Sequence, residues 1–248
     1  MPSTETIAFV LAVFFAAGFV KGVVGMGLPS TTLALLTATV GLKSAMALIL
    51  VPTVATNLVQ AVTGGHFRAL VMRFWPLFAT SVVGVWFGSS VLARADGVKL
   101  AAGLGLLLIV YALCNLASFR LPSPGRAEGW LTPVVGLATG FIKGITGSFI
   151  FPAVFYMEAL GLRRDELVQA MGMAFTVGVI ALAAGLFSNH LLTPQLALLS
   201  LLGTVPALLG MRAGLLVRRR LDEERFRRVF FVALLLLGLY LALRPFWG

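Results

Sequence analysis

The chain has 248 residues, of which 59% are hydrophobic and 11% charged, and it carries a net charge of +10. That composition leaves a soluble domain too little polar surface to cover itself, whereas a membrane-spanning helix needs only roughly 20 apolar residues, so lipid is the expected solvent. Nucleic acid is excluded as a partner, because the Lys and Arg residues stand in breaks between apolar runs and not on a solvated face interleaved with aromatics.

The first apolar run, Ile7 to Val40, reads as a membrane segment and not as a signal peptide: Met1 to Thr6 carries Glu5 and no basic residue, and the run outlasts a signal's apolar core. Polar breaks follow near Gly41 to Ser44, Gly64 to Arg68, Arg94 to Lys99, Arg120 to Trp130, Leu162 to Glu166, Asn189 to Pro194 and Arg218 to Arg228, which separate eight apolar regions. Cys114, the single cysteine, excludes an intrachain disulfide and a cysteine metal cluster. The break from Arg120 to Trp130 is rich in Pro, Gly and charge and marks the main linker. The expected organisation is a first transmembrane repeat over 1–120, a linker over 121–130 and a second transmembrane repeat over 131–248.

The repeat is visible in the residues. Gly18-Phe19-Val20-Lys21-Gly22-Val23-Val24-Gly25 returns as Gly140-Phe141-Ile142-Lys143-Gly144-Ile145-Thr146-Gly147, and a proline follows each copy, Pro29 and Pro152. Weaker echoes pair Gly41-Leu42-Lys43 with Gly161-Leu162-Arg163, and Gly88 with Gly210. The fold class is all-α, a polytopic bundle of two homologous repeats of about four helices, each with a broken first helix. Five plus five with inverted repeats is the alternative, because Ile7 to Val40 and Leu131 to Leu160 are each longer than one crossing needs. Both counts place the basic cluster Arg212 to Arg228 in the cytoplasm and both termini outside.

Lys21 and Lys143 lead the candidate site, since an ammonium at membrane depth costs at least ~2.5 kcal/mol and faces a cavity or partner unless its stem snorkels to the interface. Gly22, Gly25, Gly144 and Gly147 interrupt the helices there, and half-helix N-termini facing such a break suit an anion; close helix packing by small residues is the competing reading. Thr53, Thr56, Asn57 and Gln60 follow in the first repeat, with Gln169 and Thr176 in the second. Asn57, Gln60 and Gln169 fit an oxyanion lining, or simple interhelical hydrogen bonding. Glu158, His66 and His190 fall near segment ends. No metal-ligand spacing and no nucleophile motif is present, so neither an enzyme nor a cofactor is expected.

These motifs carry a resemblance. The duplicated G-F-x-K-G-x-x-G segments, the P-T-x-x-T-N-x-x-Q run from Pro52 to Gln60 and the stretch from Phe151 to Thr176 resemble the sulfite exporter TauE/SafE family, also called the toluenesulfonate uptake permeases, over essentially the whole chain. The resemblance implies a duplicated multi-pass transporter of the cell inner membrane. It implies a small anionic substrate, often a sulfur-containing oxyanion or organosulfonate, moved by the proton gradient or membrane potential. It also points to Asn57, Gln60, Gln169 and Thr176. An anion channel and a non-transporting scaffold are the rival classes. The expected partners are the substrate and the lipid bilayer, with a homodimer among the open oligomeric states.

Overall fold

The computed structural model describes residues 4–25, 27–149, 151–218, 220 and 222–246, and these form an all-helical bundle with no strand among them. The helices are α1 (Thr4–Val24), α2 (Leu28–Val40), α3 (Leu42–Leu48), α4 (Leu50–Val62), α5 (Phe67–Arg94), α6 (Gly97–Leu116), α7 (Glu128–Thr146), α8 (Ala153–Ala159), α9 (Arg164–Ser188), α10 (Pro194–Arg218) and α11 (Glu223–Leu243). Six of them are long and apolar enough to cross a membrane, and α3 with α4, bent by 45°, makes a seventh crossing if the pair counts as one. The α7 helix, with 19 residues, is about 28 Å long and occupies the place in the second repeat that α1 holds in the first.

Polar residues set the helix ends. The Asp96 carboxylate accepts from the Val98 N–H at 2.9 Å and opens α6, Asp222 accepts from the N–H groups of Glu224 and Arg225 and opens α11, and the Glu166 carboxylate accepts from the Arg163 N–H at 3.0 Å ahead of α9. The chain packs as two compact units that do not follow its sequence halves. One unit takes 1–52, 96–118 and 191–248; the other takes 53–95 and 119–190. Each unit therefore draws helices from both repeats.

In the first unit α1 lies along α10 with their backbones in contact. A Cβ placed on Gly18 would strike the Ala207 carbonyl, and one on Gly22 would come within 2.9 Å of the Gly214 Cα; Gly203 meets Phe14 and Gly210 meets Phe15. The residue numbers rise together, so the two helices are parallel. In the second unit α7 lies along α5 in the same way, with Gly140 on Ser81 and Gly144 2.7 Å from the Gly88 Cα. Equivalent glycines are therefore Gly84 with Gly210 and Gly88 with Gly214, one helical turn away from the Gly88 to Gly210 echo read in the sequence. Small residues at intervals of four let helix backbones approach where lipid supplies no hydrophobic drive between them.

Helix directions favour the five-pass count. In the first unit α6 runs antiparallel to α11, since Gly105 meets Ala242 and Tyr111 stacks edge-on to Phe231 at 5.2 Å. The start of α11 meets the end of α1 through Phe226 and Phe19, so α1 and α6 point the same way and an odd number of passes links them. The return after α1 is α2, whose start touches Phe230 through Gly27 and whose last carbonyls, Thr37 and Ala38, accept from Arg244. At 13 residues, about 20 Å, α2 is shorter than a full crossing. In the second unit α7 and α9 are both parallel to α5, because Gln169 meets Gly64 and Gly185 meets Ser89. The segment carrying α8 returns between them: Phe149 lies at the Lys143 end of α7, while the Tyr156 hydroxyl reaches Thr132 at 2.6 Å near its start.

With five passes per repeat the second repeat starts on the opposite face and is inverted. One face then collects Arg68, Arg73, Arg120, Arg126, Arg163, Arg164 and the Arg212 to Arg228 cluster, and the other holds only Lys43, Arg94, Lys99 and Arg244. The positive-inside rule predicts that the first face is cytoplasmic. Within the cluster, Arg219 and Leu221 lie outside the described residues. In a Cys114→Ala background, Lys99→Cys should react with an impermeant thiol reagent applied from outside, and Ser123→Cys only after permeabilisation. The four-pass count demands the reverse labelling pattern.

Candidate functional site

Each lysine of the repeated motif stands in the last turn of its helix, Lys21 in α1 and Lys143 in α7, and both side chains are buried. The glycine four residues on adopts the left-handed conformation, φ 88° at Gly25 and 76° at Gly147. Its N–H donates back to the lysine carbonyl, at 2.8 Å in the first repeat and 2.7 Å in the second. This is a glycine C-cap, and it explains the K-G-x-x-G spacing: the first glycine packs against the neighbouring helix and the second stops the helix. The lysines thus lie at the carbonyl-rich, negative ends of α1 and α7, which favour a cation, while α2 and α8 begin on the far side of each break.

The Lys143 side chain is 1% exposed. Its Nζ donates to the Gly147 carbonyl at 3.4 Å and lies 5.5 Å from the centre of the Phe149 ring. Phe149 in turn meets Phe175 edge-on at 5.7 Å. Gly178 on α9 provides the space, since a Cβ there would stand 2.7 Å from the Phe149 ring and 3.1 Å from the Lys143 Cδ. The ammonium therefore rests on a carbonyl and a π face, neither of which neutralises it. Phe149 and Gly178 were not singled out from the sequence. The available signal was length: four residues separate Gly147 from Pro152 but only three separate Gly25 from Pro29.

The amides have a different setting. Gln169 is fully buried, its Nε2 donates to the Ala61 carbonyl at 3.0 Å, and its Oε1 accepts from the His66 N–H at 3.0 Å. It thereby fastens the end of α4 and the start of α5 to α9. Gln60 is half-buried against Gly172, and the Thr176 hydroxyl donates to the Gly172 carbonyl at 2.7 Å, inside its own helix. Asn57 and Thr53 are buried on α4, and the Thr53 hydroxyl has no hydrogen-bond partner. On α9, nine residues separate Gln169 from Gly178, so the amide fastening and the Lys143 environment are about 13 Å apart along the helix. Lys21, Gly22 and Gly25 belong to the first unit, and the remaining candidates to the second.

At the end of the second unit where α5 and α7 begin, Arg73 forms a bidentate pair with Glu128 at 2.7 and 2.9 Å, and His66 lies 3.8 Å from Glu166. Among the described residues no cluster of His, Cys, Asp and Glu could hold a metal ion.

A bundle of membrane-length helices, with a buried lysine in the last turn of α1 and of α7, defines a polytopic α-helical membrane protein. Residues 10–241 match the family described as Sulfite exporter TauE/SafE, and the chain belongs to this family of membrane transporters. No curated protein and no solved structure matches the chain.

Gln169→Ala should act mainly on stability, because it leaves the Ala61 carbonyl and the His66 N–H without their partner, at about 1–3 kcal/mol for each buried group left unmade. A clear fall in Tm of the purified protein is expected. An unchanged Tm together with weakened anion binding would instead make Gln169 a ligand contact.

Proposed function

We propose that the protein is a secondary transporter for small anions, sulfur-containing oxyanions or organosulfonates, driven by the proton gradient or membrane potential across the cell inner membrane. The observation that carries this reading is the Lys143 ammonium, enclosed at a helix break and held, among the described residues, by a carbonyl and an aromatic face. A cation enclosed without a neutralising partner gains most from a mobile anion, and it releases that anion again because carbonyl and ring take over the ammonium when the anion leaves. Lys21 repeats the placement in the first repeat, as expected of a duplicated carrier. Asn57 and Thr53, buried on α4, supply neutral donors that can orient oxyanion oxygens without binding them too tightly for release.

Reconstitution in liposomes tests the assignment. Lys143→Gln and Lys21→Gln should each lower sulfite or organosulfonate flux by about tenfold or more, equivalent to ~1.4 kcal/mol in the barrier, with the amount of folded protein nearly unchanged. Lys→Arg, which keeps charge but alters geometry, should fall between. Wild-type flux in both glutamine variants would remove the lysines from the path. Failure to accumulate anion against its gradient under any imposed potential or pH difference would make the protein a channel.

A further inference from the structure

The first unit holds a cavity of about 300 Å³ far along the chain from its lysine motif, at the end of α2 and the start of α6. Its polar lining is Lys43, Arg244, Asp96, Ser44 and Thr37, and its apolar wall includes Val40, Leu42, Val98 and Ala101. We infer that this cavity is a second anion site, on the non-cytoplasmic face, for a monoanion with a small apolar body.

Four observations carry it. Thr37 lines the cavity and is fully buried, and among the described residues its hydroxyl has no hydrogen-bond partner, an unmet polar group at the cavity wall. Arg244 uses Nη1 to donate to the Thr37 and Ala38 carbonyls, at 3.5 and 3.2 Å, which fixes the guanidinium at the cavity wall, and a guanidinium carries further N–H donors of the kind an anion accepts from. The lining sums to two cations and one carboxylate, and Asp96 is held as the cap of α6 by the Val98 N–H. One net positive charge matches one negative charge, so a dianion is disfavoured. The volume is at the lower end of small-ligand sites and exceeds what a bare oxyanion fills, and the apolar wall suits the remainder of an organic anion. A free organic anion and a lipid phosphate headgroup share this chemistry.

The site goes beyond the transport reading and is tested apart from it, on the full chain in phosphatidylcholine nanodiscs with benzenesulfonate and sulfate as probes. Calorimetry should show benzenesulfonate binding that Lys43→Gln and Arg244→Gln each weaken about tenfold, as expected for loss of a charge-assisted hydrogen bond, and that Thr37→Val weakens less. Lys143→Gln should leave this binding in place, so failure of the site and failure of the transport reading are distinct results. Asp96→Asn keeps a capping side chain and should raise sulfate affinity about tenfold by removing the carboxylate. Because it is a gain, that result stands even if a lysine or arginine variant misfolds. Displacement of benzenesulfonate on adding phosphatidylglycerol would support the site with a lipid headgroup as occupant, and its absence would assign the site to free anions. The inference is overturned if benzenesulfonate binding is indifferent to both cation variants, or if Asp96→Asn leaves sulfate binding unchanged.

Discussion

Backbone contact between glycine faces is the constraint on which the rest of this molecule depends. Lipid is as apolar as leucine, so nothing drives two such helices together except close packing and hydrogen bonding. Gly18 and Gly22 bring α1 onto α10, and Gly140 and Gly144 bring α7 onto α5, at distances no side chain would allow. Everything at the helix ends follows from that approach. Because Gly22 and Gly144 hold their helices against a neighbour, the adjoining lysines are carried inward, and the left-handed glycines that follow can end each helix inside protein without exposing free carbonyls to lipid.

The position of the lysines at C-terminal ends changes the electrostatic logic of the site. An N-terminal half-helix would attract an anion by itself and would need no cation. A C-terminal end carries partial negative charge, and its carbonyls are unpaired beyond the last turn. It can therefore hold a lysine at membrane depth when no substrate is there, as the Gly147 carbonyl does for Lys143. The ring of Phe149 adds a second, weaker hold. On the proposed reading, such a cation is stable enough to fold around and still available to a competing anion.

Much of this was legible in the sequence. Composition alone requires a lipid-embedded helical bundle, and the duplicated K-G-x-x-G with its proline locates equivalent helix ends in both repeats. The family resemblance, carried by the same motif, agrees with the match over residues 10–241. What could not be read was which way the glycines and amides work. A glycine that packs and a glycine that caps look alike in a string, and only the left-handed φ of Gly25 and Gly147 separates them from Gly22 and Gly144. Gln169 read either as an oxyanion contact or as an interhelical hydrogen-bonding residue, because it is polar and lies in an apolar run. Its amide is engaged at both ends by main-chain groups of α4 and of the turn before α5, partners more than a hundred residues away that no local pattern reveals. The pass count was ambiguous because α2 and the α8 segment are too short and broken to register as spans, although they reverse the chain.

The two repeats differ at the break that follows each lysine. The second break carries one more residue than the first and places Phe149 against its lysine, with Gly178 making room. The corresponding stretch of the first break contains Gly27 at φ 106°, with Phe230 of α11 beside it and no ring of its own. A ring over the Lys143 ammonium raises the cost of drawing that ammonium onto another partner, because cation and π face must separate first.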